Sequence, residues 1–219
     1  MKIRYRKGWT FFLAASLAAC AHGPALQGVS LPEQPLVTPS AAVQKETSPQ
    51  FESLLKSAEQ GNLDAQFILA QAYEVGNGIE KNLDLAFFWY GQAANAGHVP
   101  AQFFLGAMYA SSRGTPLNLP KAVHWYRQAA AQGYPDALYP MAYVYEHGLG
   151  GVEQDNEQAL AWYRQAADTG NAFAFLRLAQ AYRRGELGLP IDAEQARIFE
   201  EKQKATSSGR LISVPVGKQ

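Results

Sequence analysis

Cysteine is almost missing from this chain. A single cysteine in 219 residues excludes an intrachain disulfide framework and any cysteine-based zinc cluster. An excess of one charge is missing as well. The 19 basic residues are matched by 19 acidic ones, which argues against a nucleic-acid binder built on a basic surface. The four histidines (22, 98, 124 and 147) include no pair at a metal-ligand spacing such as H-x3-H. No G-x-S-x-G elbow occurs, and the glycine clusters Gly76-Asn77-Gly78 and Gly148-Leu149-Gly150-Gly151 lack the Lys-Ser or Lys-Thr of a phosphate loop. The carboxylates are scattered. These absences together read as a protein that is not an enzyme and needs no cofactor or metal.

Long hydrophobic runs are also scarce. The longest predominantly apolar stretch, Trp9 to Ala19, has eleven residues, against roughly 20 for a membrane-spanning helix. It follows a positive head of Lys2, Arg4, Arg6 and Lys7, and residues 1–19 read as a secretory signal peptide. The stretch Leu17-Ala18-Ala19-Cys20 resembles the lipobox of bacterial lipoproteins. That resemblance implies that residues 1–19 are removed and that Cys20 carries the acyl chains, palmitate among them. Ala21 in place of Asp implies sorting to the outer membrane of a Gram-negative cell. Without residues 1–19 the chain holds 15 basic and 19 acidic residues, a net charge of −4. Such a body gains nothing from anionic headgroups or phosphate backbones, so the expected membrane contact is the lipid anchor alone. Residues 20–50 read as the lipidated cysteine and a tether. Positions 21–50 carry five prolines and no aromatic residue, and thirty residues of flexible coil reach roughly 30 Å.

What the chain has in abundance is self-similarity. Four segments superpose, at 64–98, 100–134, 136–171 and 173–205. Tyr73, Tyr109, Tyr145 and Tyr182 recur at intervals of 36, 36 and 37, and Trp89, Trp125, Trp162 and Phe199 keep the same beat. Each segment reads as helix, glycine-rich loop, helix. In the first, Ala65, Leu69, Ala70 and Tyr73 fall on one face of the first helix. Ala86, Trp89, Tyr90, Ala93 and Ala94 line the second. A lone hairpin of this size cannot cover its apolar face, so neighbours must stack.

These residues resemble the Sel1-like repeat, a variant of the tetratricopeptide family. Ala101, Leu105, Gly106, Tyr109, Ala122, Trp125, Tyr126, Ala129, Ala130 and Gly133 match its pattern position by position. The resemblance implies an all-α α-solenoid over residues 51–205, with 51–61 as the second helix of a preceding half-unit, and a loose tail at 206–219. Three departures stand out. Ser111-Ser112 replaces a loop glycine in repeat two. Pro140 lies well inside the first helix of repeat three, where it should kink the helix. Phe199-Glu200 replaces the Trp-Tyr pair in repeat four, as a terminal cap would.

Counting from the repeat tyrosine as zero at 100° per residue, positions −8, −4 and 0 share a face. Positions −9, −6, −2 and +1 lie opposite, on the side that the tetratricopeptide resemblance makes a concave groove for peptides. Position −6 is Phe67, Phe103, Tyr139 and Leu176; position −2 includes Gln71, Tyr143 and Gln180; position +1 includes Glu74, Glu146 and Arg183. A row of aromatics where none is needed reads either as packing on a neighbouring helix or as a binding surface for a partner protein or peptide. The expectation is a non-enzymatic scaffold that binds a protein partner and no nucleic acid. It is held by lipid at the outer membrane and faces the periplasm. The alternatives are a surface-exposed or released factor that binds a foreign protein, and a regulatory subunit of an envelope enzyme. Replacing Phe67, Phe103 and Tyr139 by serine is expected to abolish partner binding with the fold intact. Trp125→Ala is expected to cost about 3–5 kcal/mol by calorimetry.

Overall fold

The computed structural model describes residues 48–207. The segment read as a signal peptide, the expected lipidation site Cys20, almost all of the expected tether and most of the tail expected at 206–219 lie outside the described residues. Nine α-helices and no strand occur among the described residues. They are α1 (Pro49–Glu59), α2 (Leu63–Val75), α3 (Leu83–Asn95), α4 (Val99–Ser111), α5 (Leu119–Ala131), α6 (Leu138–His147), α7 (Asn156–Asp168), α8 (Ala172–Arg184) and α9 (Ala193–Ser207). Consecutive helices pack on one another from α1 to α4 and from α6 to α9, the all-α packing of helix-loop-helix repeats that characterises an α-solenoid. The chain divides into two compact units, Met1–Gln128 and Ala129–Gln219, with the division inside α5. The ends shift slightly from expectation. α1 starts at Pro49, inside the segment read as tether, because Ser48 caps it through a bond from the Phe51 N–H. α9 runs two residues past 205.

Short polar residues start almost every helix. Asn62, Asn82, Asn118, Asp155, Asn171 and Asp192 each accept a backbone N–H of the first turn at 2.9–3.0 Å. His98 does the same with Nδ1 for Ala101 at 3.2 Å. Each first helix also ties to the start of its partner. The carbonyls of Tyr73, Tyr109, Tyr145 and Tyr182 accept the N–H of residues 82, 118, 155 and 192 at 2.8–3.0 Å. The repeat tyrosine thus closes its own loop through its backbone.

In the first unit α2 and α3 bury Leu69, Ala70, Tyr73, Leu85, Ala86, Trp89 and Tyr90 between them, and Phe51 of α1 meets Tyr73 edge to face at 6.0 Å. In the second unit α6 to α9 bury Met141, Ala142, Val144, Tyr163, Phe175, Leu178 and Ala196. Within the Trp-Tyr pair the tyrosine is the deeper member. Tyr90, Tyr126 and Tyr163 are fully enclosed, whereas Trp125 and Trp162 are half-buried. The large truncation cost expected at Trp125 therefore belongs to Tyr126.

Pro140 produces no mid-helix kink. Pro135–Ala137 form a separate 3-10 turn and α6 begins only at Leu138. Pro140 thus falls in the first turn, where its missing N–H would have had no intrahelical acceptor. Ser112, standing where a glycine ends the other first helices, takes the left-handed conformation itself, with φ 54°.

Two glycines separate conformational freedom from close approach. Gly78 has φ +78° and open space where a Cβ would stand. Gly114 has φ +64°, and its Cβ would lie 2.2 Å from the Leu83 carbonyl oxygen at the start of α3. Gly78→Ala is expected to cost about 1 kcal/mol, the backbone penalty alone. Gly114→Ala is expected to cost about 2–4 kcal/mol, because overpacking against backbone is added. Equal losses in thermal unfolding would contradict the tight seating of this loop on α3.

Candidate partner-binding surface

The ten positions expected to line a groove separate into buried and accessible sets. Phe67 and Phe103 are 6% and 7% exposed. Phe67 packs on Tyr90 (5.8 Å), His98 (4.9 Å) and Phe104 (5.5 Å), so it reaches forward onto the next repeat. Phe103 packs on Phe104 (5.3 Å) and Tyr126 (5.8 Å). Tyr139 is half-buried between Tyr163 (5.5 Å) and Phe173 (5.8 Å), and burial pushes its phenol up to about 12. The open aromatic row expected at position −6 is therefore core in these three repeats. A helix flanked on two sides buries a second stripe, and the −6 ring is that stripe. Serine at these positions would damage the fold, not test a groove. Leu176, the −6 residue of the last repeat, is 43% exposed.

Position +1 is likewise interior or half-buried in the first three repeats, for a different reason. Glu74 is 2% exposed and accepts the Tyr90 hydroxyl at 2.7 Å. Glu146 accepts the Tyr163 hydroxyl at 2.6 Å. The acid stands 16 or 17 residues before the tyrosine of the Trp-Tyr pair in both repeats. Each acid then takes a cation from the following repeat. Arg113 Nη1 lies 2.7 Å from Glu74. Arg177 donates to Glu146 through Nε at 3.0 and 3.1 Å and through Nη2, and through Nη1 to Glu186 at 2.7 Å. In repeat two the +1 residue is Ala110, and the buried Tyr126 hydroxyl has no partner. In repeat four the polarity is reversed, with Arg183 at +1 paired to Glu200 in the tyrosine position. Arg113 and Arg177 carried no local sequence signal, since each is recognisable only once the fold brings it to its acid. The acid–tyrosine spacing of 16 or 17 residues is a signal that the repeat register itself carries.

Accessible positions remain on the second unit. Arg177 and Glu146 tie α6 to α8, and Tyr139 and Phe173 pack across the same pair. On α8, Leu176, Gln180 and Arg183 follow one another at i, i+4 and i+7, one face of a helix, and all three are exposed. Tyr143, in the register of Gln180, is half-buried and stacks on the exposed His147 at 4.0 Å and 23°. The result is a mixed surface of phenol, imidazole, leucine and amide, with Arg183 already paired. In the first unit Gln71 is half-buried. Among the described residues no group of three or more His, Cys, Asp or Glu is placed to hold a metal ion, and no helix is long and apolar enough to cross a membrane.

A family model described as Sel1 repeat matches residues 63–98, 99–134, 135–171 and 173–199. The chain belongs to the Sel1 repeat family. Such repeats mediate protein–protein interaction, and the family is typically a non-catalytic scaffold. Among solved structures, a Sel1 repeat protein from Oxalobacter formigenes is similar at 36% identity and TM-score 0.66, over 70% of this chain and 61% of that one. The c5321 protein, a protective antigen present in uropathogenic Escherichia coli strains and displaying an SLR fold, is similar at 34% identity and TM-score 0.65, over 70% of this chain and 32% of that one. The chain thus matches less than two thirds of either protein's length. No curated protein matches significantly.

The two buried acids differ in sign. At Glu74 burial raises the carboxyl above its ordinary 4.5, and the bonds from Tyr90 and Arg113 do not fully offset it. At Glu146 burial also acts upward, but the bonds from Arg177 and Tyr163 outweigh it and the carboxyl is lowered. A lowered carboxylate stabilises the fold above its unfolded value and loses that contribution as pH falls through the folded one. A raised carboxylate does the reverse, weakening the fold as pH rises from its unfolded to its folded value. Glu146→Gln is expected to cost about 2–4 kcal/mol at pH 7, since Arg177 loses its main partner, and to flatten the loss of stability below about pH 4. Glu74→Gln is expected to cost less at pH 7, because the half-exposed Arg113 returns to water. Urea unfolding across pH checks both, and a larger loss for Glu74→Gln would contradict this ordering.

Proposed function

We propose that this protein is a lipid-anchored adaptor of the Gram-negative envelope that holds a protein partner on the α6–α8 surface. The observation that carries the reading is that surface: Tyr143, Leu176 and Gln180 are accessible in a family whose repeats mediate protein–protein interaction. The lipobox resemblance at Cys20 supports attachment to the outer membrane, and the proline-rich tether supports action away from the lipid, on the periplasmic side. A partner laid on this surface meets an aromatic pair, one leucine and an amide, suited to a segment that carries both apolar side chains and main-chain groups. The paired Arg183 makes a clamp for a free carboxylate a poor fit.

A second reading places the same chain on the outside of the cell. The similarity to c5321, a protective antigen, favours it. Protease treatment of intact cells separates the two: a surface protein is cleaved and a periplasmic one is spared.

Crosslinking and pull-down from membranes tests the adaptor reading. The triple variant Tyr143→Ala, Leu176→Ser, Gln180→Ala is expected to keep its helical circular dichroism and lose capture of the partner by about tenfold or more. Capture of the same protein by the variant and the wild type would overturn the assignment of the site. Cys20→Ser is expected to move the protein from the membrane to the soluble fraction.

A further inference from the structure

In the first unit α1 stands as the second helix of a repeat, and among the described residues no helix precedes it. Its packing on α2 reproduces that of α3 on α4 at a shift of 36 residues. Phe51 meets Tyr73 edge to face at 6.0 Å and 88°, and Phe87 meets Tyr109 at 5.2 Å and 90°. Gln66 Nε2 donates to the Ala58 carbonyl at 3.1 Å, and Gln102 Nε2 to the Ala94 carbonyl at 3.4 Å. A third helix completes the α3–α4 pair. Phe67 of α2 lies 5.8 Å from Tyr90 of α3 and 5.5 Å from Phe104 of α4, and those two rings stack at 5.4 Å. The same shift puts Leu54 in the place of Tyr90 and Ile68 in that of Phe104. No described helix supplies a counterpart of Phe67 there. Leu54 is accordingly half-buried, where Tyr90 is fully enclosed. Ile68 and Val75 are 40% and 54% exposed, and with Ala72 they follow at i, i+4 and i+7 on one face of α2.

We infer that the face formed by α1 and α2 receives an amphipathic helix of a partner protein. It sits there as α2 sits on α3 and α4, with an aromatic or leucine side chain set against Leu54 and Ile68. The structure shows this mode of packing twice more, since Phe67 and Tyr139 each bridge their own second helix and the next first helix. The contact side of the occupant is apolar and carries no obligatory acid. Glu74 answers the Tyr90 hydroxyl and Arg113, whereas the counterparts of those two residues are Leu54 and Asn77. The chain's own sequence is a poor source of this helix. Thirty-six residues before α2 (Leu63–Val75) stand residues 27–39, with Pro32 and Pro35 in their middle, where proline breaks a helix. The site lies in the first unit and does not rest on the α6–α8 surface, so either assignment can fail alone.

The test uses the chain from residue 20 onward with Cys20→Ser, ¹³C-labelled at the isoleucine methyl groups of positions 68, 79, 191, 198 and 212. The probe is the acetylated, amidated peptide of residues 62–76, which carries Phe67 and its own caps Asn62 and Gly76. The Ile68 signal, identified by its loss in Ile68→Val, is expected to shift saturably. The signal of Ile191, 74% exposed in the second unit, is expected to stay in place. The peptide with Phe67→Ala is expected to bind about tenfold more weakly. The peptide with Ala72→Pro, which breaks the helix on the side turned away from the seat, is expected not to bind. In the protein, Ile68→Glu is expected to abolish binding. Should it lose the fold by thermal unfolding, Val75→Glu at the more exposed position replaces it with the same expectation. An unmoved Ile68 signal, or equal shifts at Ile68 and Ile191, would overturn the proposal. Full affinity of the Ala72→Pro peptide would overturn a helical occupant. An Ile68 signal that moves with protein concentration alone would overturn it in favour of a second copy. One that moves on Leu31→Ser without peptide would overturn it in favour of the chain's own N-terminal segment.

Discussion

A phenol ring that fills the inside of a helical hairpin carries its hydroxyl into the interior with it. That hydroxyl must find an acceptor, and the rest of this structure follows from how each repeat supplies one. Glu74 serves Tyr90 and Glu146 serves Tyr163. A buried carboxylate in turn needs a cation, and the next repeat provides it through Arg113 or Arg177. One aromatic side chain therefore leads to an acid on the facing helix, and the acid leads to a tie between repeats. Repeats two and four show the rule by departing from it. Ala110 leaves Tyr126 unsatisfied, and Arg183 with Glu200 keeps the pair while reversing its sign.

The same logic decides which surface is free. The −6 rings of the first three repeats fill space on their neighbours, as Phe67 does on Phe104 and His98 and Tyr139 does on Phe173. Leu176, the −6 residue of the last described repeat, is exposed instead, with Gln180 and Arg183 on the same helix face. Packing periodicity exhausts most of the residues that look like a binding row and leaves a smaller set on α6 and α8. Among the described residues the accessible positions on α8 are what this packing leaves uncovered, and no open aromatic row repeats along them.

The repeat architecture was legible in the sequence because it depends on spacing. Tyrosine and tryptophan recurring every 36 or 37 residues place nearly every helix. The glycine exception at Ser112 and the terminal change at Phe199-Glu200 were also visible. The direction of the −6 rings was not. A helical wheel gives the angle of a side chain but not what stands beside it, and the same angle suits a groove or a second packed neighbour. Pro140 misled for a related reason: its effect depends on where the helix begins, and the 3-10 turn at 135–137 moved that start. The arginines escaped notice because Arg177 lies 31 residues from the acid it serves, with no periodic partner to mark it.

The most direct test compares three conservative substitutions by calorimetry: Tyr90→Phe, Tyr126→Phe and Tyr163→Phe. All three rings are fully buried, and each change removes one hydroxyl alone. Loss of a hydrogen bond to a buried carboxylate should cost about 1.5–3 kcal/mol at Tyr90 and Tyr163, whereas loss of an unpartnered hydroxyl at Tyr126 should cost nothing or raise stability. Three equal losses would contradict the claim that the tyrosine–acid bond organises these repeats.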